Sequence, residues 1–201
     1  MDFSAIGNNL EKHGYKISIF DTAIDAADYI TDTVKGKTVA FGGSITLQDM
    51  KLYEKLSENN DVVWHWQPKE NQTADDARKE ARNAQVYFSS VNAIACTGEI
   101  VNIDGSCNRI AEIFYGHEKV YLVVGKNKIT EDLSSAIHRA RNVASPLNAQ
   151  RLNRNTPCAV KADKCYDCDS DERICRGMSV ILDKPSSCEY EIIFINENMG
   201  Y

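Results

Sequence analysis

Apolar positions change period repeatedly along the chain, and the changes outline alternating helices and strands. Phe3, Ile6 and Leu10 recur at near-helical spacing, and Gly14 suits the stop. YKISIF then alternates and is rich in β-branched residues, as a strand is. Ile24, Ala27, Ile30 and Val34 mark one face of a second helix, with Asp21 or Thr22 as its cap. KTVAF has the apolar centre of a buried parallel strand. Ser44 precedes a helical pattern through Leu47, Met50 and Leu52 to Leu56.

VVWHW predicts another short strand, and Ala74 to Asn83 a helix that is polar on one side. VYFSS, AIACTG and EIVNI read as three short extended segments. Cys107 to Tyr115 reads as a helix stopped by Gly116, and KVYLVVG as a strand. Thr130 is placed to cap a helix running to about Asn142, and Pro146 to start a further turn. MSVILD and YEIIFIN close the chain as two strand candidates that can add antiparallel edges. Strands alternating with helices predict an α/β fold with a mostly parallel sheet flanked by helices, one domain over residues 1–201. In such sheets ligands sit at the carboxyl ends of the strands.

Composition narrows the functional classes. A net charge of -6 and a pI near 5.3 argue against a general nucleic-acid binder, which presents a basic face, but leave room for a local basic pocket. No apolar run reaches membrane-spanning length, so no membrane insertion is expected. MDFSAIGNNLEKHGYKISIF has early acids and no uninterrupted apolar core, which predicts no signal peptide and a cytoplasmic protein. Seven cysteines in that compartment point to metal binding, catalysis or burial rather than disulfides.

Three polar constellations fall where strands should end. In VAFGGSITL, Gly42 and Gly43 allow a tight turn and a close backbone approach, the helix that follows favours an anion, and Ser44 and Thr46 add hydroxyls. A plain turn with Ser44 as cap explains the same residues. The third glycine of a dinucleotide fingerprint and the Gly-Lys-Ser/Thr of a P-loop are absent. In TGEIVNIDGSCNR, Arg109 can grip a carboxylate or phosphate in bidentate fashion, and Glu99 can act as base or nucleophile. A hairpin with an Asp-Gly turn and an exposed arginine is the plainer reading. In GKNK, Lys128 at a strand's carboxyl end can meet an anion or stand in solvent. His65 between Trp64 and Trp66 reads as strand packing, and the acidic run near Asp75, Asp76 and Glu80 as a solvated helix face.

Cys158, Cys165, Cys168 and Cys175 read C-x6-C-x2-C-x6-C in the polar segment 157–177. Four thiolates match the ligand count for tetrahedral zinc or an iron–sulfur cluster. A redox dithiol at Cys165 and Cys168, or free thiols in a loop, are the alternatives. Cys96, Cys107 and Cys188 read as packing residues.

TGEIVNIDGSCNRIAEIFYGHEKVYLVVGKNKI, FGGSITL and RNVASPLNAQRLNRNTPC together resemble the LUD domain, the lactate-utilisation family with LutC-like members. The resemblance covers nearly the whole chain. It implies a fold like the ribose-phosphate isomerase and CoA-transferase superfamily, which raises the pocket reading of the glycine turn. It implies a role in, or assisting, oxidation of L-lactate or a related hydroxy acid to a keto acid. Gly42, Gly43, Ser44, Thr46, Asn108, Arg109, Asn127 and Lys128 would bind a small anionic metabolite, with Glu99 and Asp104 as acid–base candidates. It also leans the metal toward iron, with iron–sulfur partner subunits, and leaves a homo-oligomer open. The alternatives are a non-catalytic metal-binding accessory subunit, or an isomerase or acyl-transfer enzyme using Glu99 as base or nucleophile.

Overall fold

The computed structural model describes residues 3–201. Six strands form one sheet: β1 (Lys16–Phe20), β2 (Thr38–Phe41), β3 (Asp61–Trp64), β4 (Val86–Ser90), β7 (Lys119–Gly125) and β10 (Glu189–Ile195). They lie in the order β1-β10-β7-β4-β2-β3, and every neighbouring pair is parallel. A second sheet holds β5 (Ala93–Ala95), β6 (Ile100–Asp104), β8 (Ile129–Thr130) and β9 (Gly177–Ile181) in the order β8-β5-β6-β9. There β6 runs antiparallel to both β5 and β9.

Successive side chains of a strand point to opposite faces, so one parallel sheet feeds two cores. Val39, Phe41, Val86, Phe88, Ile193 and Ile195 pack with helices α2 (Ala23–Thr33), α3 (Ile45–Asp49) and α4 (Leu52–Ser57). Ala40, Tyr87, Val120, Leu122, Ile192 and Phe194 pack with α1 (Ser4–Lys12) and α6 (Asn108–Phe114). The second sheet packs a smaller core against α7 (Leu133–Arg139). The remaining α-helices among the described residues are α5 (Ala74–Ala81), α8 (Ser145–Arg151) and α9 (Pro157–Lys161).

Three sequence expectations change. The closing strands are not a pair of antiparallel edges. β9 does run antiparallel, in the second sheet, but β10 inserts in parallel between β1 and β7. Its apolar run fits that burial on both faces. The helix expected from Ser44 to Leu56 breaks at Lys51, whose φ of 53° is left-handed, and becomes α3 and α4. Thr130 belongs to β8, and Asp132 caps α7 instead, accepting from the Ser135 amide at 2.8 Å.

Candidate functional site

The carboxyl ends of the parallel strands converge on a cavity of about 500 Å3. β2 delivers Gly43, Ser44 and Thr46, β3 delivers His65 and Trp66, and β4 delivers Ser90 and Asn92. Past β7 comes Lys128, and past β10 come Gly200 and Tyr201. The second sheet adds Asp104, and α6 opens with Asn108 and Arg109 on the rim.

The two glycines serve close packing, not an unusual backbone, for neither has a positive φ. A Cβ on Gly42 would lie 2.7 Å from Tyr87 Oη and 3.0 Å from Arg109 Cγ. A Cβ on Gly43 would lie 3.1 Å from the Trp66 indole. The Gly42 amide donates to Phe88 O at 2.8 Å, and the Trp64 indole N–H donates to Gly42 O at 3.2 Å. Gly42 thus sits behind the cavity wall and holds Arg109 at a fixed distance. Ser44 caps α3 by accepting from the Leu47 amide at 3.3 Å while also lining the cavity. α3 has only 5 residues, so its dipole adds little to anion binding.

Arginine supplies the cavity's charge. Arg78, Arg109, Arg151, Arg154, Arg173 and Arg176 line it with Lys128, against the carboxylates Asp104, Asp171 and Glu172. Arg109 is held on several sides. Its Nη2 donates to Ile103 O at 2.6 Å, its Nε pairs with Asp104 at 3.4 Å, and its amide donates to the same carboxylate at 3.0 Å. Arg151 lies over the Trp66 ring, 5.1 Å from its centroid, and bonds Asn148 through Nε and Nη2. Arg78 Nε is buried and has no hydrogen-bond partner.

Burial and then the Arg78 charge push His65 down to about 4, against the pull of Asp104 and a bond with the Phe41 backbone. The imidazole is therefore neutral at neutral pH and does not add to the positive charge. Lys128 is 3% exposed, and its Nζ donates to Thr46 Oγ1 at 3.0 Å and Ser90 Oγ at 2.8 Å. Burial, with Arg139 and Arg109 adding repulsion and Asp49 opposing them, pushes its amine down to about 7.

Of the residues singled out in the sequence, Gly43, Ser44, Thr46, Asp104, Asn108, Arg109 and Lys128 line one cavity. Asn127 does not. It tethers the chain's last described residues, accepting from the Met199 amide at 3.0 Å and donating to Gly200 O at 3.3 Å. Glu99 also lies outside the cavity, in the turn between β5 and β6, where it accepts from the Thr97 hydroxyl. Asp104 is at the cavity, but its oxygens are taken up by Arg109 and by the Ser106 amide at 3.2 Å, which makes it an anchor for Arg109. His65, Trp66, Arg78 and the arginines after Asn148 were not legible as site residues, since each looks like packing or a solvated face in isolation.

The four cysteines do not converge. Among the described residues, no three His, Cys, Asp or Glu side chains are grouped as ligands of one metal ion. Cys158 Sγ lies 3.3 Å from the Thr156 hydroxyl, and Cys165 Sγ accepts from the Asp167 amide at 3.4 Å. Cys175 packs on the apolar cluster of Ala136 and Ala140. As arranged, these thiols do not fit the zinc ion or iron–sulfur cluster expected of them, and no step is derived through one. The segment instead brings Arg173 and Arg176 to the cavity.

Comparison with known proteins agrees with this architecture. A family model described as the LUD domain matches residues 5–195. The chain belongs to the LUD domain family. A solved structure of a DUF162 family protein from Deinococcus radiodurans superposes on this LUD chain with a TM-score of 0.56 at 11% identity. The match covers 96% of this chain and 94% of that one, and it shows a shared fold. Among curated proteins, none matches the LUD chain. No helix among the described residues is long and apolar enough to cross a membrane.

Proposed function

We propose that the cavity is the binding site of a small polyanionic metabolite, and that this LUD protein serves the oxidation of a hydroxy acid of the lactate type. One observation carries the reading. A chain of net charge -6 gathers six arginines and a lysine around a single cavity with only three carboxylates. Like charges so crowded repel one another, and a bound anion relieves that cost. Arginine in particular suits carboxylate and phosphate, because its planar fork makes paired hydrogen bonds.

Small-molecule pockets run to about 300–1,000 Å3, so this one has room for more than a three-carbon acid. A ligand bearing a phosphate or several carboxylates uses the arginines better than lactate alone. Oxidation of a hydroxy acid to a keto acid releases two electrons and two protons. In this reading the electrons pass to iron–sulfur partner subunits, and the cavity binds and orients the acid. Glu99 has no part in it, since it stands outside the cavity. The isomerase or acyl-transfer reading that relied on Glu99 therefore loses its base.

Calorimetry with pyrophosphate, lactate, pyruvate and a sugar phosphate tests the proposal. Arg78→Ala and Arg151→Ala are each expected to weaken binding of the preferred anion by about 1.5–3 kcal/mol, the range for hydrogen bonds to charged groups. Absence of binding by all four anions to the wild-type protein would overturn it.

A further inference from the structure

Lys128 stands apart from the arginines around it. A buried lysine normally faces a carboxylate, which keeps it charged. Here the two hydrogen-bond partners of Nζ are hydroxyls, Thr46 Oγ1 and Ser90 Oγ. Ser90 donates its own proton to Val123 O at 2.6 Å, so towards Lys128 its oxygen is the acceptor. Among the described residues, no carboxylate forms an ion pair with Lys128. The charged groups that act on it are Arg139 and Arg109, which repel the ammonium, and Asp49, which attracts it. An amine that donates two hydrogens to two hydroxyls keeps one tetrahedral position free, and Lys128 lines the cavity.

We propose that Lys128 is a nucleophile that forms an imine with the carbonyl group of an anionic aldehyde or ketone bound in the cavity. The inference rests on the cavity being an anion site and adds a ligand class: a carbonyl compound that carries a carboxylate or a phosphate, as the keto acid formed by oxidation of a hydroxy acid does. The arginines hold the anionic end and bring the carbonyl carbon to Nζ. The Nζ lone pair attacks that carbon, and the carbonyl oxygen takes a proton to give a carbinolamine. The hydroxyl then leaves as water while nitrogen loses its remaining proton, so amine and carbonyl give imine and water. The Thr46 hydroxyl, which accepts from Nζ, is placed to carry these protons. Burial and the arginine charges support the chemistry, because they keep a large share of the amine neutral at neutral pH.

The test is reductive trapping of the whole protein with cyanoborohydride, which delivers hydride to the imine carbon. Pyruvate and glyceraldehyde 3-phosphate serve as the two anionic carbonyls and propanal as the neutral one, with the adduct located by peptide mass spectrometry. Pyrophosphate binding is measured on the same preparation. Labelling at Lys128 is expected to exceed that at any other lysine by about tenfold or more, because a solvent lysine near pH 7 is almost wholly protonated. Lys128→Arg is expected to abolish it. If that variant fails to fold, the adduct position on the wild-type protein decides alone. Pyrophosphate binding with no adduct at Lys128 would overturn the imine and leave the anion site standing. An adduct at Lys128 without pyrophosphate binding would support the nucleophile and overturn the anion site. Equal labelling by propanal would overturn the anionic ligand class, and failure of both measurements would overturn both readings.

Discussion

Gly42 shows how much of the site turns on the absence of one methyl group. Its neighbours, Tyr87 Oη and the Arg109 side chain, are parts of the core and of the cavity wall. Gly42→Ala is expected to cost about 1–3 kcal/mol in urea unfolding, as overpacking does, and to weaken anion binding by displacing Arg109. Unchanged stability and affinity would show that the wall can give. Gly43, Ser44, Thr46, Arg109 and Lys128 line the cavity, and they stood out in the sequence because short polar motifs followed apolar strands. His65 and Arg78 did not, because their roles come from strands and helices that meet only in the fold. Glu99 misled for the opposite reason. Its motif reads as polar chemistry, yet it lies in the turn between β5 and β6, outside the cavity lining.

At the scale of elements, β10 is the informative case. YEIIFIN has the near-continuous apolar run of a strand buried on both faces, and that composition was a better guide than its place at the end of the chain. Its buried charged residue, Glu191, is 0% exposed. Burial raises its pKa, but hydrogen bonds from Lys119, Ser18, Tyr29 and Lys16 outweigh that and hold it at about 2. Glu191→Ala is expected to cost about 1–3 kcal/mol at pH 7, since it removes the buried acceptor shared by Lys119, Tyr29 and Ser18. The folded pKa lies below the ordinary 4.5, so this stabilisation is present in full above pH 4.5 and is lost as pH falls through about 2. Urea titrations of wild type and variant from pH 7 to strongly acid conditions should therefore converge, and a constant gap would contradict the assignment. The Cys-rich segment carries the other expectation at this scale. With its thiols apart, elemental analysis of anaerobically purified protein is expected to find no stoichiometric iron or zinc. Metal lost on Cys165→Ser would show instead that the segment folds around an ion. Spacing made the cysteines look like one site, but among the described residues they form no group that could hold a metal ion.

Across the whole molecule, the α/β class was legible from alternating periods, while the division into two sheets was not. β5 and β8 have only 3 and 2 residues, which leaves little periodicity to read and hides the pairing of β6 with its neighbours. That second sheet matters, because it carries Asp104 and places Arg109 opposite the glycine turn. The result is an acidic protein with an arginine-lined cavity at the ends of its parallel strands. Calorimetric titration of pyrophosphate at low and high salt tests this most directly. Binding is expected to weaken as salt rises, and Arg78→Ala and Arg151→Ala are expected to reduce it. No heat of binding at low salt, or binding indifferent to both salt and the two substitutions, would contradict the anion-site reading.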